Sequence, residues 1–146
     1  MSSDPTFIYR SLTPLHPEFR TRITTLHKVI ALLHETGSLQ FRAELFETYR
    51  STERQEKLFA DKVTRARGGQ SPHNYGLAAD FVPFLTQAQG QALNVRPGWY
   101  WPPLTDPFWK VFKEAATACG LVTIAWDGPH VEYPFWKAHR GWKMKD

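Results

Sequence analysis

Apolar residues recur at three- and four-residue spacing through Ile23, Leu26, Val29, Ile30 and Leu33, with Arg20, Arg22 and Lys28 between them. An amphipathic helix needs such a stripe to bury one face. The pattern predicts a helix from Pro17 that stops at Gly37. A second stripe, from Phe108 through Val111, Phe112, Ala115 and Ala116 to Cys119, follows Asp106 and Pro107 and ends before Gly120. Asp is a good N-cap, and proline suits the first helical position. Elsewhere the period shortens. Residues 40–49 mix Phe41, Leu45, Phe46 and Tyr49 with charges and read as a strand, after which Thr52-x-x-Gln55 has the form of a capping box opening a short helix. The run from Ala78 and Ala79 into Phe81, Val82, Pro83 and Phe84 reads as another strand. Residues 121–126 read as a buried strand, with Gly128 and Pro129 turning the chain so that His130 starts the next. Residues 85–105 break every period and read as a long connection rimming a cleft, where Trp99, Tyr100 and Trp101 either stack on a ligand or anchor the loop. Residues 1–16 read as an extended arm, and residues 135–145 as a short terminal helix packing Trp136 and Trp142. The sum is an α+β fold, with helices packed against a small antiparallel sheet.

Length and composition narrow this picture. A chain of 146 residues, 42% hydrophobic, suits one domain over 1–146 with a core that needs no disulfide. It shows no internal repeat, no low-complexity linker and no second module. The single Cys119 has no partner in the chain and reads as a buried thiol. No apolar stretch approaches the length of a membrane span, and the first residues lack the basic start and apolar run of a signal peptide. A net charge of +4 and a pI near 9.3 favour an anionic partner.

The chemistry concentrates in residues 70–80, QSPHNYGLAAD. His73 and Asp80 stand seven positions apart, with Gly76 between them to let the backbone turn. They supply two ligands of a catalytic zinc site, which takes three from the protein and leaves one position for water. Fifty residues on, WDGPHVE supplies His130, with Asp127 three positions before it. Asp127 is the candidate acid/base, brought back toward the metal by the turn through Gly128 and Pro129. Glu132 points to the same strand face as His130 and is assigned to orienting that imidazole; it is also the rival base. Ser71 supports the turn or the metal shell. His27 and His34, on or near the first helix, read as ordinary helical histidines. Gly68 and Gly69 lack the Lys-Ser/Thr of a phosphate-binding loop.

The pattern SxHxxGxAxD, met by Ser71, His73, Gly76, Ala78 and Asp80, followed by DxxH at Asp127 and His130, resembles the zinc peptidases of bacterial cell walls. That family includes D-alanyl-D-alanine carboxypeptidases and the L-alanyl-D-glutamate endopeptidases of phage endolysins, and its fold is shared by hedgehog-type relatives. The resemblance extends to Tyr49-Arg50-Ser51 with Gln55 and covers roughly residues 40–132. It implies one zinc ion per chain on His73, Asp80 and His130, with Asp127 as acid/base and Arg50 holding a substrate carbonyl or carboxylate. Gln55, Ser71, Glu132 and Trp99 are then expected to support the site or touch substrate. The implied substrate is the peptidoglycan stem peptide, cut between L-Ala and D-Glu by a monomer that reaches the wall through a separate pore-forming protein. A separate wall-binding domain is not expected, nor is a nucleic-acid or membrane partner. Aspartate at 127 looks more like the endopeptidases, whereas LVTIAWD follows Gly120 at once, a shorter loop than relatives carry there. The alternatives are a D,D-carboxypeptidase removing terminal D-Ala, and a non-catalytic zinc domain of the same fold that binds the wall.

Overall fold

The computed structural model describes residues 2–143; the stretch of the expected terminal helix that reaches Lys145 lies outside them. Helix α1 spans Pro17–Glu35 and opens on His16, whose ring accepts from the Glu18 N–H at 3.2 Å. Its buried positions are Phe19, Ile23, Leu26 and Ile30, the stripe read from the spacing extended one turn back. Strand β1, Ala43–Glu47, leads into helix α2, Thr52–Ala60. The cap of α2 is Ser51 rather than Thr52: Ser51 has extended backbone and accepts from the Arg54 N–H at 3.1 Å, so the helix begins one residue earlier than the expected box.

A single 3-10 turn, Pro72–Tyr75, then feeds strand β2, Ala78–Leu85. Ser71 and Asn74 close a reciprocal capping box around the turn. Gly76 ends it at φ 68° with its carbonyl accepting from the His16 N–H, and a Cβ there would lie 2.5 Å from the Pro14 carbonyl oxygen. Gly76→Ala should therefore lose about 1–3 kcal/mol of stability from the left-handed backbone alone, and more from the collision. Urea unfolding measures this. A variant as stable as the parent would show that the arm in front of the turn simply moves aside.

With β4 over Val122–Ile124 and β5 over Asp127–Glu132, the sheet runs β1-β2-β5-β4, all pairs antiparallel. Strand β2 is its middle. Ala79 and Phe81 join the core with α1 and helix α4, Pro107–Ala118, whereas Asp80 and Val82, on the alternate face, line a cavity. The core thus sits between the sheet and the two long helices, and Phe81 meets Phe112 at 5.8 Å between ring centres.

Three regions differ from expectation. Residues 85–105 hold a short helix α3, Gln87–Leu93, and a two-residue strand β3, Gly98–Trp99, paired to the far end of β2. Thr86 and Gln89 form a reciprocal capping box at the start of α3. The segment 121–126 contributes only β4, Val122–Ile124, at the sheet edge, and Val122 and Trp126 are exposed rather than buried. The reversal falls at Ala125 and Trp126, and β5 runs unbroken over Asp127–Glu132. Gly128 and Pro129 lie inside it, at a bulge: Thr123 pairs with Val131 but Ile124 with Asp127, leaving three residues of β5 unopposed. Proline, with no N–H to give a ladder, is tolerated at such a bulge. The tail forms one 3-10 turn, Trp136–His139, with Trp136 stacked on Tyr75 and Trp142 against His16. Cys119 is half-buried at the end of α4, and burial pushes its thiol up in pKa. Among the described residues no helix is long and apolar enough to cross a membrane.

Candidate metal centre and active site

The backbone tie between the two halves of the site is made first. Asn74 donates its side-chain amide to the Arg50 and Ser51 carbonyls, and the Arg50 N–H donates to the His73 carbonyl. The 3-10 turn and the link from β1 to α2 are thereby one unit. Buried inside it, the His73 imidazole pairs Nδ1 with the Thr48 carbonyl at 2.7 Å. A carbonyl can only accept, so Nδ1 carries the proton and Nε2 presents a lone pair. That Nε2 has no hydrogen-bond partner, and neither has Oδ1 of buried Asp80, 3.4 Å from it.

His130 completes the arrangement because Asp80 and His130 are directly paired across β2 and β5. Its Nδ1 lies 3.5 Å from the same Asp80 oxygen, while Nε2 sits 2.8 Å from Glu132. The ligating atoms of His73, Asp80 and His130 all fall within 4.8 Å of one another. Two buried, unpartnered polar atoms aimed at a common point are costly unless something satisfies them. A cation bound by two imidazoles and a carboxylate does so, and the donor set fits a divalent metal.

The electrostatics follow from the same contacts. Burial pushes the Asp80 carboxyl up, but His73, His130 and Arg50 together outweigh it and hold it well below the usual carboxylate range. Burial pulls His130 down, yet its bonds to Asp80 and Glu132 win and raise it to about 9. Asp127 behaves in the opposite sense to Asp80. Burial raises its carboxyl, and the negative charge of Asp80 raises it further. The β5 bulge explains its place: residues three apart on a regular strand face opposite sides, yet Asp127 and His130 line the same cavity.

Arg50 lines that cavity and is held from three sides. It donates to Glu47 at 2.9 Å, to the outer oxygen of Asp80 at 3.2 Å and, more loosely, to Gln55 at 3.5 Å. Gln55 is fully buried behind it and donates to the Ala66 carbonyl at 2.9 Å. Glu47, 1% exposed, also takes both Arg54 contacts, so one buried carboxylate orders two guanidiniums. Sequence reasoning passed over Glu47; its signal was charge spacing, with Arg50 three and Arg54 seven positions on.

The structure brings His73, Asp80, His130, Asp127, Arg50, Glu132 and Ser71 to one cavity of about 1120 Å³. Ser71 lines it while capping the turn, its hydroxyl accepting from the His73 N–H. Trp99 is placed elsewhere. It packs edge-on to Phe46 and Phe84 under Arg10, and the cavity wall belongs instead to Trp101. His27 and His34 are satisfied by Glu44 and the Leu39 carbonyl.

Residues 64–133, a little under half of the chain, match the family model described as D-alanyl-D-alanine carboxypeptidase. The L-Ala D-Glu endopeptidase ChiX of Serratia marcescens superposes with a TM-score of 0.55 at 19% identity, over 93% of this chain and 97% of that one. The LD-carboxypeptidase LdcB gives 0.55 at 20% identity over 86% and 68%. DacB, an L,D-carboxypeptidase of Streptococcus pneumoniae, gives 0.53 at 18% identity over 91% and 80%. A comparison with curated proteins finds no match. At these identities structural likeness establishes the fold: helices on a small antiparallel sheet, as the sequence pattern implied. Fold and matched segment together define a metallopeptidase. The matched segment contains His73, Asp80, Asp127 and His130.

Proposed function

We propose that His73, Asp80 and His130 hold one zinc ion and that the chain is a peptidoglycan peptidase cutting the stem peptide between L-Ala and D-Glu, in the setting of phage lysis. The observation that carries this reading is the convergence of His73 Nε2, Asp80 Oδ1 and His130 Nδ1 beside a half-buried Asp127. Two imidazoles and a carboxylate suit zinc, which when bound supplies Lewis acidity toward a carbonyl and a water. The chain's own residues do the rest. Thr48 and Glu132 fix the two imidazoles, each through the ring nitrogen turned away from the cluster. Asp127 takes the proton of the attacking water and hands it to the leaving amine, a task that suits a half-buried carboxyl lining the same cavity. Arg50 faces the carbonyl oxygen on which negative charge develops, and Glu47 and Gln55 keep it there.

The choice of bond is supported by the ChiX likeness over nearly both whole chains and by aspartate at position 127. The choice of substrate is supported by the likeness to LdcB, an LD-carboxypeptidase that recognises peptidoglycan, and by a basic chain meeting an anionic wall. We place the protein as a monomer acting on the wall. The family description favours a second reading, a carboxypeptidase releasing terminal D-Ala. Mass spectrometry of purified peptidoglycan digested with and without a chelator separates them. New D-Glu N-termini that vanish with chelator are the expected result. Free D-Ala alone would replace the endopeptidase with the carboxypeptidase, and no product despite bound metal would leave a wall-binding domain.

A further inference from the structure

Two tryptophans stand at the cavity that the core does not account for. Trp126 is 79% exposed and Trp101 is 49% exposed, yet both line the space in front of the metal cluster. An indole left this open adds little to folding, and a single exposed apolar residue would need no explanation. These two are different in how they are held. Trp126 sits at the tip of the β4–β5 hairpin, whose carbonyls at Ile124 and Ala125 both accept from the Lys113 ammonium, at 2.8 and 3.2 Å. Trp101 packs edge-on to Phe46 at 5.0 Å, and the next carbonyl, Pro102, accepts from the Trp109 indole N–H at 3.0 Å. The other face of that support is Gly128, where a Cβ would fall 2.7 Å from the Trp109 ring. Helix α4 thus braces both segments through Trp109 and Lys113.

Their positions straddle the chemistry. Phe46, against which Trp101 leans, belongs to β1 at one edge of the sheet, and Trp126 lies in the turn that follows β4 at the other. Asp80 on β2 and His130 on β5 lie between. The cavity's 1120 Å³ exceeds the range of about 300–1,000 Å³ usual for small-molecule pockets. A dipeptide fills only a small part of such a space.

Resting on the peptidase reading above, we infer that Trp101 and Trp126 are specificity-determining residues that grip the substrate on both sides of the bond being cut, so that the site selects an extended, sugar-bearing stem peptide over the same bond in a dipeptide. Preorganised aromatics offer flat apolar contact to sugar rings and peptide planes at small entropic cost.

The test compares kcat/KM of the zinc-loaded protein on L-alanyl-D-glutamate and on the same bond in a muramyl pentapeptide. The parent should prefer the long substrate. In Trp126→Ala and in Trp101→Ala that preference should fall about tenfold each, through KM rather than kcat, and Trp→Phe at either position should restore most of it. Zinc content and melting temperature equal to the parent's confirm that the variants fold, and the Phe variants serve where an alanine does not. An unchanged preference in both alanine variants overturns the inference, as does a parent that cuts the two substrates equally well. A parent that cuts this bond in neither substrate overturns the endopeptidase reading itself.

Discussion

Asp127→Ala should lower turnover by about 10²- to 10⁴-fold while leaving zinc content unchanged. Asp127 is absent from the set of converging ligand atoms, so the metal has no reason to leave with it. The loss should fall on kcat, because the carboxylate acts on a proton in flight rather than on the resting substrate. The pH profile carries a second signature. A base must be deprotonated to work, so activity should fall with acidification as Asp127 takes up a proton. Turnover retained in Asp127→Ala and lost in Glu132→Gln would hand the role to Glu132, which reaches the same cavity.

Metal affinity should depend steeply on pH. In the metal-free chain His130 titrates at about 9, so at neutral pH its ring carries a proton that a cation must displace. Apparent affinity measured against a competing chelator should rise about tenfold per pH unit up to about 9 and then level off. The stability of the metal-free chain should run the other way. A group raised from 6.5 to about 9 on folding contributes stability that is whole below 6.5 and is lost as pH climbs through 9. Bound metal should abolish that decline, since a coordinated imidazole is already neutral. A pH-independent affinity would mean that His130 does not hold the ion.

The elements legible in the sequence are those whose signal is local. Helix α1 announces itself through Ile23, Leu26 and Ile30, and α4 through Phe108, Phe112 and Ala116, because one buried face imposes one period. The Ser71–Asp80 turn was legible because each residue has one job there: Ser71 caps, Gly76 takes positive φ and Asp80 enters the strand. What was missed depends on partners distant in the chain. Gly128 and Pro129 have the composition of a turn, and only the pairing of β5 with both β2 and β4 turns them into a bulge. Trp99 and Trp101 are interchangeable by composition, and it is the pairing of β3 with Phe84 and Leu85 that sends one to the edge packing and the other to the cavity. Helix α3 is the exception. Its Thr86-x-x-Gln89 box was visible, but Gly90 and the absence of an apolar stripe hid the helix behind it.

The direct pairing of Asp80 with His130 has a consequence for the order of assembly. These partners are fifty residues apart, and among the described residues the seam they share is what joins β5 and β4 to the rest of the sheet. Closing so large a loop comes late in most folding reactions, because its entropy is spent before its contacts form. An ion placed across that seam acts as a rivet on the last joint to close. Its arrival reports a finished fold, and its loss frees the joint most able to reopen.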